Sequence, residues 1–176
     1  VRSVHLSGLD LESVLTTEQI EELALSIGSM DQIEDFCVFR GGSAVLSEEL
    51  LSRCLHRNRN LKVLLLWQFY SLHEHVVLAK AIRQHPSLER ITINLPGGMP
   101  WASMDVLSMA FCEMEKLRVL QIRCQGRQED AIISPEAAAL LFSSKKIESL
   151  YLENVGLIDD HVDVMAEELT KNNALT

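Results

Sequence analysis

The chain contains no run of 18 apolar residues, which excludes a candidate membrane-spanning helix. No charged stretch followed by an apolar one opens it, and Val1 is not an initiator methionine, so any targeting signal is expected outside these residues. Cys37, Cys54, Cys112 and Cys124 form no Cys-x-x-Cys pair, and there is no Asn-x-Ser/Thr sequon. Both absences point to a reducing, intracellular, cytoplasmic setting with free thiols. Positive charge is in short supply: 16 Lys and Arg face 25 Asp and Glu, a net charge of −9. Such a surface repels phosphate backbones, which argues against a nucleic-acid partner. No Ser/His/Asp constellation is present, and the Gly41-Gly42-Ser43 stretch lacks the lysine and the spacing of a phosphate-binding loop. His73 and His75 flank Glu74, but residues two apart on a helix do not share a face, so no metal site is expected. The expectation is a non-enzyme without cofactor, metal or small-molecule ligand, and without membrane insertion.

What the chain does have is recurrence. "LERITI" from Leu88 has the form apolar-x-x-apolar-x-apolar. The same form opens at Val1, Ile33, Leu61, Leu117 and Ile147, and a seventh copy starts at Leu175. The starts lie 32, 28, 27, 29, 30 and 28 residues apart, a mean of 29. Such spacing makes the repeat, and not the single strand, the unit of the fold. With 176 residues and 47% hydrophobic composition, the six copies are expected to form one domain over residues 1–176. No polar capping unit is visible at either end, so the domain is read as a fragment of a longer array, with more repeats or a cap beyond Thr176 and before Val1.

Each apolar stretch is followed by a loop and then a segment of helical period. Start signals precede these segments. Thr16 with Gln19, and Ser71 with Glu74, have the spacing of capping boxes. Ser47, Ser103, Ser134 before Pro135, and Asp159 stand at the other four starts. The expected buried stripes are Ile20, Leu23, Ala24 and Ile27; Leu50, Leu51, Cys54 and Leu55; Val77, Leu78, Ala81 and Ile82. They continue with Leu107, Ala110, Phe111 and Met114; Ala137, Ala138, Leu141 and Phe142; Val162, Met165, Ala166 and Leu169.

A strand, a loop and a helix in about 29 residues return the chain to the same edge each time, so the strands must be parallel. Strands sit about 4.8 Å apart and helices are about 10 Å wide, so the stack must curve with strands inside. Side chains alternate along a strand, which leaves three columns on the open, concave face. They are Ser3, Asp35, Val63, Arg90, Val119 and Ser149; His5, Cys37, Leu65, Thr92, Gln121 and Tyr151; Ser7, Phe39, Trp67, Asn94, Arg123 and Glu153.

This period resembles the leucine-rich repeat family, in its ribonuclease-inhibitor-like class. The unit from Ile147 to Thr176, "IESLYLENVGLIDDHVDVMAEELTKNNALT", carries the resemblance most fully, with its Leu-x-x-Leu-x-Leu phase, Leu157, and a helix ending in Asn-Asn. The resemblance implies an α/β leucine-rich-repeat solenoid, a horseshoe with a parallel sheet on its concave face and helices on its convex face. One departure stands out. The family usually places Asn or Cys three residues after the last strand leucine, and here those positions hold Leu9, Gly41, Phe69, Pro96, Gln125 and Val155. Irregular loops are therefore expected, the "LPGGMPW" loop most of all, with apolar packing or water satisfying part of the backbone.

Adjoining apolar residues on an inner face suggest a contact surface. Phe39, Val63, Leu65 and Trp67, extended by Thr92, Gln121, Arg123 and Tyr151, are the candidate partner-binding residues. The function expected is that of a protein-interaction module binding a protein partner. The alternative is a structural subunit packed permanently in an assembly. A third reading follows from a resemblance to GTPase-activating proteins for Ran, which place an arginine in a loop after a strand, as Arg40 stands here.

Overall fold

The computed structural model describes residues 2–6, 16–30, 32–39, 48–67, 75–95, 101–125 and 133–176. Among the described residues, six strands alternate with six helices: β1 Ser3–Leu6, α1 Thr17–Gly28, β2 Asp35–Phe39, α2 Glu48–Arg57, β3 Val63–Trp67, α3 His75–Arg83, β4 Arg90–Leu95, α4 Trp101–Glu113, β5 Val119–Cys124, α5 Pro135–Ser143, β6 Ser149–Glu153 and α6 Asp159–Lys171. The strands form one sheet in the order of the sequence, and all five pairings are parallel. Each begins two residues after the first apolar residue of its repeat. Consecutive helices pack on one another in the same order. Crossovers of one hand that always step to the next strand place the helices in a single layer.

The core lies between these layers. Phe36, Leu64, Leu66, Ile91, Ile93, Leu120 and Ile122 project from the strands into it and are buried. The residues that open the motif, Ile33, Leu61, Leu88, Leu117 and Ile147, are buried just before each strand. From the helix side come Leu51, Cys54, Leu55, Leu78, Ala81, Ile82, Leu107, Ala110, Phe111, Ala138 and Leu141. The side chains of Ile20, Ala24 and Leu50 lie outside the described residues. The expected stripes need correction at two helices. Val77 of α3 is exposed, because Leu78, Ala81 and Ile82 supply its inner face. In α6, Val162 (56% exposed), Ala166 and Leu169 are exposed and Met165 is half-buried. Among the described residues this helix packs closely on α5 alone, which leaves one flank of its stripe exposed.

Cap chemistry follows the sequence at two helices. Thr16 and Gln19 form the reciprocal pair of bonds expected, at 3.3 and 2.9 Å. Ser134 accepts from Ala137 N–H at 3.0 Å, with Pro135 as first helical residue. Ser103 is not a cap, since α4 already starts at Trp101. Asp159 is the first helical residue and not the cap; there its charge suits the positive end of the helix. Ile158 N–H donates instead to His161 Nδ1 at 3.3 Å. Ser47, Ser71, residues 96–100 of the "LPGGMPW" loop and the His73–Glu74 pair lie outside the described residues.

Two ladders run across the repeats. The residue before each strand alternates in sign: Arg2, Glu34, Lys62, Glu89, Arg118, Glu148. Lys62 pairs with Glu34 at 3.4 Å and Arg118 with Glu148 at 3.2 Å. Opposite charges on adjacent strands favour the observed register, each exposed pair contributing about 0.2–1 kcal/mol. The backbone keeps the same rhythm. The amides of Glu34, Lys62, Glu89, Arg118, Glu148 and Thr176 each donate, at 2.7–2.8 Å, to the carbonyl one rung before.

The second ladder lies in the helix-to-strand turns, three residues before each motif. Asn58 Nδ2 donates to Ile33 O at 3.3 Å, and Asn172 Nδ2 to Ser144 O at 2.9 Å. Buried His85 bonds Asn58 O through Nε2 at 2.7 Å and accepts from Ser87 N–H through Nδ1 at 3.4 Å. This arrangement needs a neutral ring. Burial pushes the His85 imidazole below its usual value; the bond to Asn58 O opposes that shift, and Arg59 and His56 reinforce it. The unfolded chain therefore binds the proton first. Stability from His85 should be fully present above about pH 6.5 and fall as the pH drops from there toward the folded value. Urea midpoints at pH 7.5 and below should show this slope, and His85→Gln should reduce it. A slope unchanged in His85→Gln would place the titration elsewhere.

Candidate functional site

The sheet face turned away from the helices holds the three columns in the register expected. Asp35, Val63, Arg90, Val119 and Ser149 pair in one row; Cys37, Leu65, Thr92, Gln121 and Tyr151 in the next; Phe39, Trp67, Asn94, Arg123 and Glu153 in the third. β3 brings Val63, Leu65 and Trp67 to this face because they alternate with core-facing Leu64 and Leu66. They were expected exposed and are half-buried. The side chain of Phe39, though its backbone pairs with Trp67, lies outside the described residues, as do Ser7 and Arg40.

Burial is deepest beside this apolar trio. Cys37 is 1% exposed and Thr92 5% exposed, and Asn94 is buried too. Thr92 is therefore corrected: it holds the right column but offers almost no surface to a partner. Its hydroxyl lies 3.3 Å from the Gln121 side-chain amide. Turned to suit its neighbours, that amide presents oxygen to Arg123 Nη2 at 2.7 Å and Nε at 3.1 Å, and so its nitrogen to Thr92. Arg123 Nε also pairs with Glu153 Oε2 at 2.9 Å. The Thr92–Gln121–Arg123–Glu153 chain thus crosses three strands, with exposed Tyr151 beside it. Asn94 Oδ1 is buried between Trp67 and Arg123 in register and has no hydrogen-bond partner. At about 4.8 Å per strand, Leu65 and Tyr151 stand roughly 14 Å apart across the face.

The chemistry available here is contact and hydrogen bonding. All four cysteines are free, and burial pushes each thiol up to about 11, which leaves them protonated and poorly nucleophilic at neutral pH. Among the described residues there is no group of three or more His, Cys, Asp or Glu able to hold a metal, and no helix long and apolar enough to cross a membrane. The residues missed by sequence reasoning are the turn residues Asn58, His85 and Asn172. Their only signal is a polar residue three before the motif start, obscured by Met30 and Met114 at the same offset.

No protein-family model matches the chain, and no curated protein matches it.

Proposed function

We propose that the chain is a leucine-rich-repeat-like solenoid acting as a non-catalytic protein-interaction module, with a protein partner seated on the concave face of its sheet. The observation that carries this is the juxtaposition on one face of an apolar row, Val63, Leu65 and Trp67, with the polar row Gln121, Arg123 and Tyr151. An apolar anchor rimmed by polar groups is the usual anatomy of an interface. Free, buried thiols fit a reducing, intracellular setting.

Pull-down from a native extract tests the reading. A partner retained by the natural chain should be lost with Trp67→Ala, since truncating a tryptophan hot spot costs at least about 2 kcal/mol, roughly thirtyfold in affinity. A partner retained equally by Trp67→Ala and Tyr151→Ala would place the interface elsewhere.

A further inference from the structure

Four of the helix-to-strand turns are closed in the same way: a side chain accepts from the amide two residues on. Asn58 Oδ1 takes Asn60 N–H at 3.2 Å, Ser144 Oγ takes Lys146 N–H at 3.4 Å, and Asn172 Oδ1 takes Ala174 N–H at 2.7 Å. At the α3–β4 turn the acceptor is His85 Nδ1, which takes Ser87 N–H at 3.4 Å. Of these four acceptors, only the imidazole takes up a proton between about pH 5 and 8. An amide or hydroxyl closes its turn throughout that range; the imidazole closes its own only while Nδ1 carries no proton.

His85 also stands where three turns meet. Its Nε2 bonds Asn58 O at 2.7 Å, and Asn58 Nδ2 reaches Ile33 O, just before β2, at 3.3 Å. Ser87 Oγ donates to Leu61 O at 3.0 Å and to Arg59 O at 2.5 Å. Asn58 and His85 are both buried. The amides of Glu89 and Arg90 then donate to Lys62 O, which sets the entry to β4. The charged groups that act on the ring are Arg59 and His56, both from the α2–β3 side and both unfavourable to a positive charge beside them.

We propose that His85 makes the α3–β4 turn an acid-operated latch between the third and fourth repeats. A proton on Nδ1 sets an N–H against Ser87 N–H, so the ring lets go of Ser87 while Nε2 keeps Asn58 O. Ser87 Oγ then leaves Arg59 O and Leu61 O, and the array loosens where β4 begins. The open turn gives the ring to water and binds the proton more readily than the closed one, so acid favours opening. The asparagine and serine turns have no such proton to take up, so the opening is local. The latch does not depend on what the sheet face binds.

Hydrogen exchange on the full chain tests it, with each rate referred to that of an unstructured peptide at the same pH. Between pH 7.5 and about pH 5.5, protection over residues 85–91 should fall, by up to about tenfold per pH unit for one proton taken up. Protection over residues 144–148 should hold. His85→Gln keeps a donor and an acceptor that do not titrate, and should remove the fall; His56→Gln should leave it in place. Nitrogen NMR of the natural chain should show the ring as the Nε2–H tautomer at pH 7.5, titrating in step with the exchange, a reading that needs no variant to fold. The proposal is overturned if protection does not fall, if it falls equally over residues 144–148, or if His85→Gln falls as the natural chain does. It is overturned equally if His56→Gln abolishes the fall, or if the neutral ring carries its proton on Nδ1.

Discussion

Leu66→Ala should lower the stability of the chain by about 2–5 kcal/mol, and Trp67→Ala by clearly less, although the two residues are adjacent in β3. Leu66 is fully buried, in register with Val38 and Ile93 on the two flanking strands, and its removal leaves a cavity between sheet and helices. Trp67 turns to the other face, half-buried in register with Phe39 and Asn94. Its truncation removes contact area that water can refill. For a domain of this size, 1 kcal/mol moves the melting temperature by about 2–4 °C, so the Leu66 variant should melt at least several degrees below the Trp67 variant. Calorimetry on both variants settles the comparison. Equal losses would mean that Trp67 serves the core, and the proposed contact face would be a buried one.

The strand phase was legible because it rests on one physical regularity. An apolar residue at the first, fourth and sixth positions of each motif can be buried on one side only if the strands share a register, and every described residue of the three columns paired as expected. Depth of burial on the opposite face was not legible. Cys37, Thr92 and Asn94 are buried there, in register with Leu65, with Leu65 and Gln121, and with Trp67 and Arg123, and such cross-strand surroundings are not readable from one strand's pattern. Helix stripes were readable in α4 and α5, each packed between two helices, but not fully in α3, which is packed the same way and still exposes Val77. They failed at α6, where the period was right and, among the described residues, α5 alone packs closely alongside. The sequence lacks the polar residues that leucine-rich repeats usually place three after the last strand leucine, and a different polar ladder lies at the opposite end of the strands. Asn58, His85 and Asn172 bond the turn backbone there, close to where each helix hands over to the next strand. Near β6, Asn154 Nδ2 reaches Cys124 O at 3.4 Å from one residue earlier than the family position, held in the left-handed region at φ 55°. Asparagine tolerates that region better than most residues.

His161→Leu should cost about 2–5 kcal/mol, and the loss should appear first in α6. His161 is buried within the first turn of that helix. Nδ1 accepts from Ile158 N–H, which fixes the ring with Nε2 as donor to Ile133 O at 2.8 Å. One imidazole thus caps α6 and ties it to the segment that leads into α5. Leucine keeps the bulk and removes both bonds. The carbonyl of fully buried Ile133 is then stranded, at about 1–3 kcal/mol, and the helix loses a cap worth about 0.5–2 kcal/mol. Because α5 is, among the described residues, the only helix packed closely on α6, local opening there need not disturb β2–β4. Hydrogen exchange should show α6 amides losing protection while those of β3 and β4 keep theirs. His161→Gln retains a donor and an acceptor and should recover part of the stability. If the leucine and glutamine variants are equally stable, with α6 equally protected in both, then packing, and not the two hydrogen bonds, holds this helix to the array.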